Sequence, residues 1–540
     1  MNAKKHSSRG IPPQSSPARA KGSAPQEGNA LAHAATWKPH LWQLGLILLG
    51  GVLYFSGFAG FDLWPLAFVA LIPLFFVLEQ SNLKQALLLG ALYGWVTNWG
   101  GYYWLVEMLQ KFSGFGTLLC VLFTAIICLY QGGQFAFFAG LYRAARTRGW
   151  SPWWVAPLAY GVSEMAYPLL FPSYYANSLH DQLHWIQIAD VGGPMLISAL
   201  IVLVNVAFYQ SARLFMRRSR PSRREWAPIL MSALFVLATL AYGHYRLLEV
   251  RARSAAAPSL KVGIVQTNMG IFSKREDPGE GLRRHLEQSI KLEQEVKPDL
   301  LIWPESAYTF VVPENVPSLR PWVTGPLKTP LLFGGLSRRY EGGKERLYNT
   351  AFLLDREGRA LGRYDKTYLL AFGEYLPFGE TFPILYEWSP NSGHFTPGNH
   401  TRPLKLGPWR LSTLVCYEDI LPAFVRGAVR SANPHLLVNV TNDAWFGKTT
   451  EPWIHLALAK FRAVEHHRYL VRATNSGVSA VVDATGQVVR ASGVFTRENL
   501  DASVALLQGH TLYEYLGDWP GWLSLLGMAF LLWRRKATPA

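Results

Sequence analysis

The sequence predicts a multi-pass α-helical membrane domain of about eight spans and, set before the last of them, a water-exposed α/β domain. Three observations carry this. Half of the 540 residues are hydrophobic and only 16% are charged, against the roughly 25% of a soluble domain. Apolar runs near the ~20 residues that cross a bilayer recur through the first half and once more near the end. Between them, from about 250 to 515, short β-rich runs alternate with amphipathic helices.

Residues 1–37 carry Lys4, Lys5, Arg9, Arg19 and Lys21 among Ser, Pro, Gly and Ala, a composition that predicts a disordered basic tail. Seven apolar runs follow, near 40–58, 63–80, 85–109, 115–142, 152–171, 186–214 and 226–246, and an eighth lies near 519–533. The sixth is long enough for part of it to lie along the interface. Basic residues gather at alternate junctions: Arg143, Arg146 and Arg148, then Arg217, Arg218, Arg220, Arg223 and Arg224, then Arg534, Arg535 and Lys536. The loop 171–185 has none. The positive-inside rule then places both termini in the cytoplasm and the 250–515 segment on the other side. The expected divisions are a tail at 1–37, a seven-span domain at 38–248, an extracytoplasmic catalytic domain at 249–515, and a last helix with its basic tail at 516–540.

The net charge of +16 therefore reads as an orientation signal and not as a nucleic-acid footprint. Three cysteines cannot build a disulfide framework, and Cys120 and Cys128 sit inside an apolar run. No Cys/His cluster has metal-ligand spacing, so neither a metal nor a cofactor is expected.

In the outer segment "SLKVGIVQTN", "PDLLIWPE", "TPLLFGGLS", "NTAFLLDREGRAL", "RLSTLVCYE", "PHLLVNVTND" and "YLVRATNSGVSAVVDATGQVV" read as strands. "DREGRAL" and "DATGQVV" have hairpin-turn chemistry. Residues 280–296 and 451–467 show helical periodicity. Three strand ends hold ionisable residues: Glu305 in "LLIWPES", Lys366 and Glu374 in "GRYDKTYLLAFGEYLP", and Cys416 and Glu418 in "LVCYED". Alone, a cysteine at a strand end is usually a packing residue. Together the set supplies a thiol, a carboxylate to take its proton and a cation for an oxyanion.

Glu in "WPES", Lys in "YDK" and Cys in "VCYE", in this order, resemble the carbon–nitrogen hydrolase (nitrilase) superfamily. Its fold is a four-layer αββα sandwich with a Glu-Lys-Cys triad. Such a domain inserted before the last of eight membrane spans resembles the apolipoprotein N-acyltransferases, as do "FGEYLP", "NVTNDAWFG" and "VRATNSGVSAVVD". The resemblance implies Cys416 as nucleophile, Glu305 as general base and Lys366 at the oxyanion. It also implies Glu374, Tyr417 and Glu418 as supporting residues, and Trp445 and Phe446 at the substrate cleft. Two positions depart from the family pattern: Ala371 replaces a proline and Tyr368 a histidine.

The implied reaction moves a fatty acyl chain from a membrane phospholipid, through a cysteine thioester, to the α-amine of a diacylglyceryl-cysteine apolipoprotein. The enzyme would lie in the bacterial inner membrane with its catalytic domain on the periplasmic side. The stretch after Lys366 is crowded with Tyr375, Phe378, Phe382, Tyr386 and Trp388, which suits an arm at the lipid headgroups; Phe382 and Trp388 are its expected lipid contacts. Two other readings use the same sequence. One is a membrane-tethered amidase that hydrolyses a small amide, and the other is a transporter with a non-catalytic nitrilase-like domain.

Overall fold

Helices precede the first strand throughout the computed structural model, which describes residues 40–217, 222–270, 276–314, 316–371, 373–376, 378–388 and 392–534. The expected tail at 1–37 and the basic residues Arg218, Arg220, Arg535 and Lys536 lie outside these.

The helices of the first part are α1 (Leu41–Ser56), α2 (Ile72–Glu79), α3 (Leu83–Gly101), α4 (Leu105–Ser113), α5 (Thr117–Arg146), α6 (Pro152–Ala166), α7 (Leu183–Ile186), α8 (Ala189–Met216) and α9 (Arg223–Ala256). Among the described residues, three are long and apolar enough to cross a membrane: α5, α8 and residues 225–256 of α9. Shorter apolar helices cover 41–56, 64–79 and 519–533. Helices α3 and α5 touch backbone to backbone: a Cβ on Gly94 would meet the Gly132 carbonyl oxygen at 2.2 Å. Small residues permit such close crossings where lipid gives no hydrophobic drive between helices.

Two expected runs are corrected. The run at 85–109 is not one helix, because the chain turns at Tyr102–Trp104 and restarts as the amphipathic α4, closed by Gly114 at φ 71°. The run at 186–214 breaks at Gly192 and Gly193 (φ 65°) before Pro194, where neither glycine nor proline favours a continuing helix. The last helix before the sheets also runs ten residues past its expected end at 246, to Ala256, and β1 begins at Ser259.

The outer part holds strands β1 (Ser259–Gln266), β2 (Leu300–Ile302), β3 (Leu331–Glu341), β4 (Lys344–Leu354) and β5 (Ala360–Asp365). After them come β6 (Leu404–Leu406), β7 (Trp409–Val415), β8 (Leu436–Thr441), β9 (Tyr469–Thr474), β10 (Ala480–Val482), β11 (Val488–Ala491) and β12 (Glu498–Ala505). They form two six-stranded sheets, in the orders β12-β1-β2-β3-β4-β5 and β11-β10-β9-β8-β7-β6. The central pairs β1–β2, β2–β3, β7–β8 and β8–β9 are parallel, and the outer pairs are antiparallel.

Side chains alternate across each strand. Leu300 and Ile302 face a core shared with Val415, Val438 and Val471 of the other sheet. Leu301 and Trp303 face outward onto Leu282, Leu286 and Ile290 of α10 (Pro278–Glu295). On the far side Leu414 and Leu437 pack with Val425, Leu456 and Ala459, from α12 (Pro422–Ala432) and α13 (Glu451–His466), a short α11 (Ile384–Trp388) lying before them in the chain. This is the expected αββα layering. Helices on both outer faces explain why these strands read as continuous apolar runs. Strands β6 and β12 and helix α12 escaped the sequence reading. Strand β6 is short and β12 mixes polar and apolar residues without a clean period, whereas α12 has a helical period in Val425, Ala428 and Val429 that was overlooked.

The chain ends with α14 (Leu512–Leu516) and α15 (Trp519–Trp533). Helix α13 ties the sheets to the membrane helices by charge: Lys460 pairs with Asp181, and His467 Nε2, just past the helix, lies 3.1 Å from Asp190 Oδ2.

Candidate active site

Each expected catalytic side chain sits just past the end of a strand, where the ladder stops and the side chain is free to aim along the sheet. Glu305 follows β2 after Trp303 and Pro304. Its position is fixed by close packing, since a Cβ on Gly334 of β3 would lie 2.6 Å from the Glu305 Cα. Lys366 follows β5, and its amide donates to the Asn349 carbonyl at 2.8 Å. Cys416 follows β7 with φ 53° and opens the tight turn Cys416–Ile420. That left-handed backbone is uncommon for a side-chain-bearing residue and gathers at functional sites.

The structure brings Glu305, Lys366, Glu374 and Cys416 together. Lys366 Nζ is 2.6 Å from Glu374 Oε2 and 3.9 Å from Glu305 Oε1. Asn349 Nδ2 donates to Glu305 Oε1 at 2.7 Å and to Glu374 Oε1 at 2.8 Å. The Leu370 amide donates to Glu374 Oε2 at 2.8 Å. The Cys416 thiol lies beside Glu305 and Thr441, each close enough to act on its charge state. Burial pushes the Glu305 carboxyl up and the Glu374 charge adds to this, against Lys366. Burial alone would lower the Lys366 ammonium, but Glu374, Cys416 and Glu305 raise it on balance. The Cys416 thiol is pushed well up, by burial first and then by Glu305, with Lys366 opposing. At rest the site therefore holds a neutral thiol next to a buried carboxyl and a paired cation.

Glu418 is fully buried. It accepts the amides of Val415, Thr367 and Tyr368 at 2.8, 2.7 and 2.9 Å and the Tyr364 hydroxyl at 2.8 Å. Burial lifts its carboxyl to about 7, against Lys366 and these amides. It bolts the cysteine's strand to the loop after the lysine. Tyr417 donates to the Leu170 carbonyl at 3.3 Å and stacks on Tyr368 at 6.1 Å, so the tyrosine in the family's histidine position has a packing partner.

Trp445 and Phe446 are half-buried in the turn Asp443–Phe446. Phe446 meets Trp104, at the start of α4, edge-on at 5.3 Å. Phe382, on the arm, is 56% exposed. Trp388 closes α11; its side chain lies outside the described residues. The arm folds back on itself through Tyr386 stacked on His394 at 3.6 Å and through the Phe395 amide, which donates to the Glu374 carbonyl at 3.0 Å.

The sequence reading missed Asn349, which looked like the first residue of an ordinary strand. It also missed a buried ring of charge behind the cysteine's turn. His455 Nε2 lies 2.9 Å from Asp419 Oδ1, and its Nδ1 lies 3.0 Å from Asp443 Oδ1. Arg472 closes the ring, with Nη1 2.5 Å from Asp419 Oδ2 and Nη2 3.0 Å from Asp443 Oδ2. Burial and Arg472 push His455 down, but Asp419 and Asp443 prevail and lift it to about 10. Burial raises Asp443, yet Arg472 and His455 hold it near about 2. Asp443, Glu451 and His455 have donor atoms within 4.8 Å of one another, but both ring nitrogens already face carboxylates, and the donor set is one of mutually paired charges. The readable signal was Arg472, a cation inside the apolar strand "YLVRAT".

The two packed sheets and a cysteine, a lysine and two glutamates at their strand ends define an enzyme domain of carbon–nitrogen hydrolase type carried by membrane helices. Residues 261–512 match the carbon–nitrogen hydrolase family, and residues 50–207 match the apolipoprotein N-acyltransferase N-terminal domain. The chain is 32% identical to the apolipoprotein N-acyltransferase of Geobacter metallireducens, over 91% of this chain and 95% of that one. It is 30% identical to that of Azotobacter vinelandii, over 92% and 96%. Among solved structures it is similar to a carbon–nitrogen hydrolase from Helicobacter pylori, at 15% identity over 46% of this chain and 89% of that one, with a TM-score of 0.33. The chain belongs to the apolipoprotein N-acyltransferase family and is an acyltransferase.

Proposed function

We propose that Cys416 takes a fatty acyl chain from a membrane phospholipid as a thioester and passes it to the α-amine of a diacylglyceryl-cysteine at the N-terminus of an apolipoprotein. In the first half-reaction Glu305 accepts the thiol proton and the sulfur attacks the ester carbonyl. Lys366 meets the oxyanion, and the lysophospholipid alcohol leaves with the proton returned by Glu305. In the second, the neutral amine attacks the thioester, its proton passes to Glu305, and the thiolate departs. The α-amine, with a pKa of ~8, is partly neutral near pH 7, whereas a lysine amine at ~10.4 is not; this selects the N-terminus.

Glu374 and Asn349 hold the cation and the base, and Glu418 and Tyr417 hold the nucleophile's turn. Trp445 and Phe446 line the path of the acyl chain, with Phe382 and Trp388 meeting lipid on the arm. The membrane part has eight spans over 38–248 and 516–540, and the 249–515 domain lies on the periplasmic side of the bacterial inner membrane. One observation carries the reading: the Cys416 turn opens beside a buried carboxyl, Glu305, that lies 3.9 Å from the buried Lys366 ammonium. That is the set needed to make and stabilise an acyl-cysteine.

The test is to give purified protein phospholipid without acceptor. The peptide containing Cys416 should gain the mass of one fatty acyl group, removable by neutral hydroxylamine, and a diacylglyceryl peptide with a free α-amine should discharge it. Turnover of acceptor with no adduct ever trapped at Cys416 would mean direct transfer. Discharge by water alone would make the protein an amidase or esterase.

A further inference from the structure

The ring behind the cysteine's turn has a proton requirement set by its geometry. Both nitrogens of the His455 imidazole lie within hydrogen-bond distance of a carboxylate oxygen. A neutral imidazole has one N–H, so its other nitrogen would turn a lone pair toward a carboxylate. Both carboxylates and Arg472 are fully buried, and His455 is 5% exposed, so no solvent screens that repulsion. With two N–H groups, two cations and two anions alternate around the ring and each contact is a charge-assisted hydrogen bond.

The surrounding charges agree. Asp419 faces His455 from the cysteine's turn, Asp443 from the Trp445–Phe446 turn, Arg472 from β9 and Glu451 from its own helix, with Oε1 3.9 Å from Nδ1. Glu451, raised well above the carboxylate range by burial and by Asp443, adds no further negative charge when protonated. The ring's members join the two turns that flank the acyl site. Asp419 lies three residues beyond Cys416, and Asp443 leads into Trp445 and Phe446. Thr441 donates to Asp443 at 3.4 Å and lies beside the Cys416 thiol.

We infer that His455 is a positioning residue for acyl transfer: a permanent imidazolium that clamps the Cys416 turn to the Trp445–Phe446 turn through Asp419 and Asp443. It also leaves the ring electrically neutral, so that Asp443 does not oppose formation of the Cys416 thiolate with an uncompensated charge. The inference rests on Cys416 being the nucleophile.

His455→Gln leaves two carboxylates with one side-chain amide group to share and gives the ring a net negative charge. Adding Asp419→Asn restores complementarity, because the asparagine amide donates to the introduced glutamine's oxygen while its own oxygen still accepts from Arg472. The single variant should form the Cys416 thioester roughly tenfold more slowly, or worse, with little change in KM, and its Cys416 alkylation profile should move to higher pH. The double variant should recover most of that loss. A merely space-filling glutamine predicts no such rescue, so a double variant no better than the single overturns the inference.

Full-length protein labelled with 15N-histidine in micelles gives a readout independent of turnover. An imidazolium signal should persist at pH 8.5 and vanish in Asp419→Asn. Absence of such a signal in the wild-type protein overturns the inference. If the wild-type protein forms no adduct at Cys416, the thioester reading fails, while the imidazolium signal still decides the state of the ring.

Discussion

Lys366 Nζ sits 2.6 Å from Glu374 Oε2, closer than to the carboxylate proposed as the base, at 3.9 Å. The pairing divides labour between two like-charged groups. Glu374 pairs with the ammonium, which in the proposed mechanism leaves Glu305 to exchange a proton with Cys416.

Glu374→Gln should therefore damage chemistry more than binding. Lys366 would turn to Glu305, lowering that carboxylate's basicity and drawing the cation from the oxyanion position. Losing one oxyanion donor typically costs about 3–4 kcal/mol of transition-state stabilisation, so single-turnover thioester formation should fall on the order of a hundredfold or more. A KM that rises while the acylation rate stays unchanged would count against this division.

Gly334→Ala tests how closely Glu305 is packed. The new methyl group would meet the Glu305 Cα at 2.6 Å and the Pro304 oxygen at 2.8 Å, both backbone atoms that cannot rotate away. Overpacking typically costs about 1–3 kcal/mol of stability. Glu305 should shift away from the cysteine, so the variant should fold with a lowered melting temperature and acylate slowly. A variant with full activity would show that β3 can yield without moving the base.

The pH dependence has two signs. In the proposed mechanism Glu305 acts as a base when ionised, and its carboxyl is raised, so acylation should fall with acid through a limb above the ordinary range near ~4.3. For stability, His455 is raised from 6.5 to about 10; its contribution is fully present below about 6.5 and is lost as pH rises through about 10. Asp443 is depressed from 3.8 to about 2; its contribution is present above 3.8 and is lost as pH falls through about 2. The melting-temperature gap between wild type and His455→Gln should hence be widest near neutrality and shrink toward pH 10. A gap that widens with alkali would contradict the linkage.

The proposed orientation is checked by fusion. A reporter that works only in the periplasm should be active when joined after about residue 250, and one that works only in the cytoplasm should be active after Arg148. The reverse pattern would place the site on the wrong side for secreted lipoproteins.

The parts that repeat with a local period were legible in one dimension. Apolar length marked the membrane helices, continuous apolar runs marked strands buried on both faces, and Glu305, Lys366 and Cys416 stood out because charge and thiol followed such strands directly. The breaks at Tyr102–Trp104 and Gly192–Gly193 were not legible, because hydropathy registers an apolar run whether or not the backbone stays helical. Asn349, Asp419, Asp443 and His455 were out of reach for a different reason, with Arg472 in its apolar strand the ring's one legible signal. They are scattered over separate turns, strands and helices, and each alone is an ordinary polar residue. Only the packing of the second sheet against α13 brings two buried carboxylates to one imidazole and one guanidinium. In that dry space an unpaired charge is costly enough that partners far apart in sequence must meet. The sequence by itself thus determined the order of elements and singled out the groups proposed as reactive. The tertiary structure decided which charges neutralise which, and so left Glu305 beside the thiol and Glu374 beside the lysine.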